Sequence, residues 1–437
     1  MKPKLIFIVV GLFMLTGCTL LKPPSASTTV DLESTSNNMD DMENITEVDI
    51  VEPKKREEPK EPERYYAQLS AVGDIMVHKW QLEGAYDTKE DNYDFSHSFE
   101  YIRPYIQQAD YAIANLETTL AGIERGYQGY PRFNTPEVLA KNLKDVGFDL
   151  VTTANNHSMD SNAAGVLHTI QVLEDTGLDH VGTYKNQEDS EEIMIKEINH
   201  ISFAFLSYTY GTNGIPVPKD QPYLVNTWNM YEPEGLESMY NKVREAKKLA
   251  TDFVVVAVHF GNEYHSFPNH HQEEIVRQLF LAGADIVLGS HPHVLQPIDI
   301  QQIIQEDGTQ KTGVVIYSLG NFISSQKPTK EDPAPKDAGI IFSFTIEKIE
   351  GKKAEIRNIL FVPTWVQWIR KNNKPYHRII AVEQALRETA EGQETGFTAY
   401  EIQKMKQVRD RTVNHMMHYL EKQPKLKNDV YYLDLEN

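Results

Sequence analysis

The chain has 437 residues, 40% of them hydrophobic and 24% charged, which is enough to build a large buried core in one or two domains. Asp and Glu number 63 against 43 Lys and Arg, for a formal net charge of −20. No basic excess exists to neutralise phosphates, which argues against a nucleic-acid partner. A single cysteine excludes a disulfide framework.

At the N-terminus, Lys2 and Lys4 precede an apolar run over residues 5–15. That run is shorter than the ~20 residues a spanning helix needs and suits the apolar region of a signal peptide. Leu15-Thr16-Gly17-Cys18 then reads as a bacterial lipobox. Residues 1–18 are therefore expected to be a lipoprotein signal peptide, with Cys18 lipidated and the protein extracytoplasmic, anchored to the cell membrane by lipid. An ordinary secretory signal with a chance cysteine is the alternative. Residues 19–64 lack aromatics, are acidic, and are rich in Pro, Ser, Thr and Asn. Such a segment buries too little to fold and reads as a disordered tether.

Order is expected from Tyr65. Residues 67–72 alternate as a strand and end at Gly73-Asp74. A helix is expected over 99–108, then a strand over 109–114 ending Asn115-Leu116-Glu117. Pro136 and Gly147 bracket a helix over 136–146. A strand over 148–153 ends Ala154-Asn155-Asn156-His157, and residues 162–176 have helical periodicity up to Gly177. A strand over 201–207 and a helix over 234–250 follow. Residues 253–258 are continuously apolar, as in a strand buried on both faces, and end at His259-Phe260-Gly261-Asn262-Glu263. After a helix over 273–282 comes a short strand over 285–288. It runs into Gly289-Ser290-His291-Pro292-His293. The spacing leaves two imidazoles together at a strand end, with Pro292 expected to hold the backbone extended between them. A strand over 313–318 ends Leu319-Gly320-Asn321. Residues 339–347 and 354–362 read as an antiparallel pair. Residues 398–420 are helical and amphipathic, within a C-terminal extension over 391–437.

Strands alternating with helices imply an α/β fold with ligands at the carboxyl ends of the strands. Those ends carry Asp74, Glu117, Asn156-His157, His259, His291/His293 and Asn321. Imidazole, carboxylate and amide oxygen without sulfur form a set that suits Mn, Fe or Zn, and one or two such ions are expected. A carboxylate such as Asp74 or Glu117 would bridge two of them. His157, next to a ligand-type Asn, is placed to give a proton or hold an oxyanion. Asn155, Glu263 and Asn321 are candidate substrate contacts. Each residue has a plainer reading: Asp74 as a helix cap, Glu117 as a solvated edge residue, Asn155 or Asn156 as turn residues, His259 as a satisfied core histidine. His265, His270 and His271 lie in a Pro/Asn-rich stretch and read as surface. Trp365 and Trp368 read as packing.

The motif series Gly73-Asp74-Ile75-Met76, Asn115-Leu116-Glu117, Asn155-Asn156-His157, His259-Phe260-Gly261-Asn262-Glu263-Tyr264, residues 289–297 and Ser318-Leu319-Gly320-Asn321-Phe322 resembles that of the CapA/PgsA capsule-synthesis family, over about residues 68–322. That family is similar to the calcineurin-like metallophosphoesterases. The resemblance implies a metallophosphatase-like αββα sandwich, two sheets flanked by helices, over residues 65–390. It further implies metal ligation by Asp74, Glu117, Asn156, His259, His291 and His293, with His157 catalytic. Two departures stand out. The phosphoesterases begin Asp-x-His, whereas Met76 stands two residues after Asp74, with His78 four residues on. The bridging position carries Glu117 where those enzymes have Asp.

The function expected on this basis is synthesis, export or retention of poly-γ-glutamate or a similar anionic polymer at the cell surface. Two alternatives stand beside it. One is a non-catalytic accessory subunit of a membrane-embedded polymer synthase. The other is an extracytoplasmic metal-dependent phosphodiesterase.

Overall fold

Alternate residues of a strand point to opposite faces, and in the central strands here both faces are apolar. In residues 253–259, Phe253 and Val255 face one hydrophobic cluster, while Val254, Val256 and Val258 face another. Such strands have to be covered on both sides, which dictates layers. The computed structural model describes residues 61–228, 233–305, 308–371 and 373–435, all within one compact unit, Lys60–Asn437. The apolar run over 5–15, Cys18 and nearly all of the expected tether lie outside the described residues.

Along the chain the strands are β1 (Arg64–Ile75), β2 (Tyr86–Asp87), β3 (Asn92–Tyr93), β4 (Tyr111–Leu116), β5 (Leu150–Thr152), β6 (Asp179–Val181), β7 (Met194–Ile198), β8 (Ile201–Thr209) and β9 (Phe253–His259). Then come β10 (Ile286–Ser290), β11 (Leu295–Ile304), β12 (Gln310–Leu319), β13 (Asn321–Ile323), β14 (Ala338–Ile349), β15 (Glu355–Lys371), β16 (Lys374–Ala381), β17 (Lys425–Lys427) and β18 (Val430–Asp434). Among the described residues one sheet runs β17-β18-β15-β14-β1-β4-β5-β6, with β13 beside β1 and β16 beside β15. The second runs β11-β12-β10-β9-β8-β7. Strands β1, β4, β5 and β6 are parallel, as are β8, β9, β10 and β12.

Leu69, Ile113, Phe342 and Phe344 of the first sheet meet Phe203, Phe205, Val255, Leu288 and Ile316 of the second in one buried cluster. The outer face of the first sheet is covered by helices Val138–Val146 and Asn162–Thr176 through Leu139, Leu143, Val146 and Leu173. The outer face of the second is covered by helices Pro233–Lys248 and His270–Ala282 through Val243, Ile275, Val276 and Leu279. The result is an αββα two-sheet sandwich. Each fully buried Leu, Val or Phe in it contributes ~1.5–3 kcal/mol.

Several elements differ from the expectation. The helix expected over 99–108 shrinks to Arg103–Ile106, because Pro104 lacks an N–H and is tolerated only in the first turn. Strand β11 went unread because Pro297 interrupts it. As an edge strand paired only with β12, β11 accommodates that proline. The polar tail supplies β17 and β18, and β18 joins the sheet through Tyr431, stacked on Phe361 at 5.2 Å.

Candidate metal centre

The parallel strands of both sheets end on the same edge of the sandwich, and their last residues meet there. Close approach is enforced by glycine. A Cβ on Gly73 would lie 1.9 Å from the Gly320 carbonyl oxygen, and one on Gly289 2.0 Å from that of Tyr317. Asp74, in β1, is fully buried. Its Oδ1 accepts Asn115 Nδ2 at 2.8 Å and its Oδ2 pairs with His293 Nδ1 at 2.9 Å. It caps no helix. Asn115 is itself held by the Thr152 hydroxyl at 3.2 Å.

Glu117 follows β4 and is fully buried, not a solvated edge residue. Its Oε1 lies 3.6 Å from His259 Nε2 and 3.8 Å from His293 Nε2. Neither carboxylate oxygen has a hydrogen-bond partner among the described residues. Burial first, and then the Asp74 charge, raises its pKa well above the ordinary range. His259 ends β9, with Nδ1 2.9 Å from Ser290 Oγ and Nε2 3.0 Å from Asn156 Oδ1. Burial holds its pKa well below normal. His291 is buried too, with no hydrogen-bond partner on Nδ1 among the described residues and a pKa pushed down to about 3 by burial and then by His293. The loop that carries the two histidines is not extended. His291 and His293 have φ of 97° and 56°, flanking Pro292. The turn is held by Tyr264, whose N–H donates to the Pro292 carbonyl at 2.7 Å. Positive φ at two non-glycine residues costs ~1–3 kcal/mol each and persists where surrounding structure imposes it, often at functional sites.

Donor atoms of Glu117, His259 and His291 lie within 4.8 Å of one another, and so do those of Asp74, Glu117 and His293. Glu117 belongs to both groups. Asn156 adjoins the first through His259. A buried carboxylate without partners is costly, and native structures rarely leave one so. A divalent cation is what this donor set fits. Oxygen and imidazole donors without sulfur select the Mn, Fe and Zn class.

His157 stands beside these groups. Asp160 Oδ2 sits 2.7 Å from His157 Nδ1 and also accepts the Phe133 N–H. Nε2 has the Asn213 amide 3.4 Å away. Asn155 turns inward: Nδ2 donates to the Leu116 carbonyl and Oδ1 accepts the His157 N–H. Its amide thus helps to organise the loop. Asn321 spends Nδ2 on Gln326 and the Lys336 carbonyl, while its buried Oδ1 has no hydrogen-bond partner among the described residues. Glu263 is exposed at the mouth, close enough to act on Glu117 and Tyr210. Met76 is packed in the core, at 2% exposure, and brings no donor to the site. His265, His270 and His271 are exposed. Trp365 is buried, whereas Trp368 is half-buried under the Lys327 ammonium.

Four contributors were not assigned from sequence: Asn115 on Asp74, Ser290 on His259, Asp160 on His157, and Tyr210, whose ring packs on His291 at 4.7 Å. Only Asp160 left a readable signal, a carboxylate three residues after the histidine.

The αββα architecture, two sheets flanked by helices with the strand ends converging, makes this a metallophosphatase-like protein. Its residues 68–326 match the model of the bacterial capsule synthesis proteins PGA_cap, and the chain belongs to that family. It is 31% identical over 280 residues to the capsule biosynthesis protein CapA of Bacillus anthracis. It is 33% identical over 266 residues to the PGA biosynthesis protein CapA of Bacillus subtilis. These matches cover 62% and 60% of this chain and 62% and 64% of those proteins, less than two thirds of their length. A protein of Sinorhizobium fredii, y4sH, is 25% identical over 322 residues, 58% of this chain and 65% of its own.

Proposed function

We propose that this protein acts in the synthesis, export or retention of poly-γ-glutamate or a similar anionic capsule polymer. In this reading it works outside the cytoplasm, tethered to the membrane by lipid on Cys18, beside a membrane-embedded synthase, and uses a metallophosphoesterase-like centre. One observation carries the catalytic part: among the described residues neither oxygen of buried Glu117 has a hydrogen-bond partner, and Glu117 belongs to both groups of donors. Family membership supports the polymer. Among the described residues no helix is long and apolar enough to cross a membrane.

Asp74, Glu117 and His293 would hold one divalent ion, and Glu117, His259 and His291, with Asn156, a second. Such ions polarise a phosphoryl oxygen and ready a water for attack. The chain's own groups do the rest. Ser290 and Asn115 orient His259 and Asp74, as outer partners of metal-binding groups commonly do. Asp160 accepts the His157 Nδ1–H and favours the doubly protonated ring, so Nε2–H gives its proton to the leaving oxygen and the neutral ring takes one back from water. The protein's −20 charge opposes a polyanion, so local cation charge has to draw the substrate in. A non-catalytic binding subunit is the second reading. It is favoured by Met76, which leaves the Asp74 group with three protein donors.

The test is metal analysis of the purified full chain beside a His291→Ala/His293→Ala double variant, followed by turnover of an aryl phosphate ester with manganese. About one or two transition-metal ions per chain, lost in the variant, with turnover lost in His157→Ala, supports the enzyme. Metal without turnover leaves the binding subunit. No metal in either protein removes the centre.

A further inference from the structure

His78 lies just beyond the end of β1, at the cap of the short helix Lys79–Ala85. Its ring is largely enclosed, yet it belongs to neither group of metal donors. Nδ1 accepts the backbone N–H of Ser325 at 3.3 Å. An imidazole nitrogen that accepts carries no proton, so the neutral ring holds its proton on Nε2. Among the described residues that Nε2–H meets no acceptor. One edge of the ring packs on Phe133 at 5.0 Å and 80°. Phe133 in turn packs on His157 at 4.7 Å and 87°. The phenyl ring thus sits against both imidazoles. His293 and His157 are near enough for their charges to act on His78.

A network holds the ring in this pose. The His78 N–H donates to Gln81 Oε1 at 2.9 Å, and Gln81 Nε2 donates to the Met76 carbonyl at 2.8 Å. The Ser325 hydroxyl donates to the same Gln81 oxygen at 2.9 Å and meets His377 Nε2 at 3.1 Å. The neighbouring loop closes on the His78 backbone, where a Cβ on Gly129 would lie 2.8 Å from His78 Cα. Four separate segments therefore position one imidazole, and among the described residues no hydrogen bond is made by its Nε2.

We propose that His78 is a further substrate-binding residue: its Nε2–H donates a hydrogen bond to a non-bridging oxygen of a phosphate-type oxyanion held at the Glu117 centre, while His157 attends the leaving oxygen. This rests on the reading of the centre under Proposed function. It makes His78 a fixed neutral donor rather than the metal ligand that an Asp-x-His start would supply. A hydrogen bond to a charged oxygen accounts for about tenfold to a hundredfold in affinity.

The test uses the full chain loaded with manganese, with metal content and the dissociation constant of inorganic phosphate measured for wild type, His78→Ala, His78→Gln and His293→Ala. His78→Ala is expected to keep wild-type metal content and to bind phosphate about tenfold to a hundredfold more weakly. His78→Gln, whose amide N–H reaches the Nε2 position, is expected to restore most of the affinity. Nitrogen-15 NMR of wild type is expected to show the Nε2–H tautomer at His78. Unchanged phosphate affinity in His78→Ala overturns the proposal. So does metal loss equal to that of His293→Ala, which would make His78 a ligand, or a wild type that binds no phosphate. A wild type that holds no metal fails the reading of the centre instead. Phosphate binding that nevertheless depends on His78 in that protein still supports the donor, and binding indifferent to His78 overturns it.

Discussion

Glu117 concentrates the chemistry of this protein. A carboxylate with no exposure and, among the described residues, no hydrogen-bond partner on either oxygen is destabilising in the metal-free chain. Replacing it with Gln removes the charge without changing the shape. Glu117→Gln is expected to lose metal, yet its thermal midpoint in chelator should be no lower than wild type. Saturating manganese should raise the stability of wild type by about 3 kcal/mol at a hundredfold excess over the dissociation constant, and leave the variant unmoved. Thermal unfolding with and without manganese checks both halves. His157 and Asp160 are separable from the metal. Asp160→Asn keeps a hydrogen-bonding group beside Nδ1 but no longer fixes the proton there. Metal content should stay at the wild-type level, while aryl phosphate turnover falls by about 10²–10⁴. Residue identity at the site was readable because each candidate ends a strand. Partnerships such as Asn115 with Asp74, or Ser290 with His259, join residues 41 and 31 positions apart, and no local pattern reports them.

The elements that matter most at the next scale are strand ends drawn together by glycine. Gly73 lies against Gly320 and Gly289 against Tyr317, both at distances no side chain tolerates. Gly73→Ala or Gly289→Ala should push β1 from the Gly320 turn or β10 from β12, at a cost of about 3 kcal/mol, the upper part of the overpacking range. Loss of thermal stability in the full chain, together with weaker manganese binding, is the expected measurement. Substitution at Gly211, where an added Cβ meets nothing, serves as the control. Continuous apolar runs such as 253–258 announced strands buried on both faces, and Gly147 and Gly177, with φ of 119° and 72°, ended their helices where the chain pattern placed the stop. Two stretches that went unread broke a local rule for a tertiary reason. Strand β11 carries Pro297 because it is an edge. The loop after β10 turns through two histidines with positive φ because Asp74 and Glu117 require their rings there.

For the whole molecule, the buried imidazoles decide how the metal-free protein responds to acid. His78 has its pKa lowered to about 4 and His291 and His377 to about 3, chiefly by burial, and His259 is lowered well below normal. The unfolded chain takes protons on these rings below pH 6.5 while the folded chain does not, so stability falls as pH drops from 6.5 toward 4. Each ring accounts for at most about 1.4 kcal/mol per pH unit. Glu117, raised by burial, acts in the opposite sense, since stability is lost as pH rises above its ordinary value of 4.5. Four rings outweigh one carboxylate, so in chelator the thermal midpoint should be lower at pH 5 than at pH 7, and His377→Phe should flatten the difference. The amino-acid sequence by itself determined the layers: two-faced apolar strands, amphipathic helices and ligand-type residues at strand ends are local patterns with fixed periods, and the family motifs are short and contiguous. Only the tertiary structure decided that Glu117 lies between two donor groups, that Asn155 bonds to the Leu116 carbonyl and the His157 N–H, and that His78 packs on the phenyl ring that also packs on His157. Those facts depend on which strand ends meet across two sheets, and that meeting is set by the packing of distant side chains rather than by any residue's neighbours in the chain.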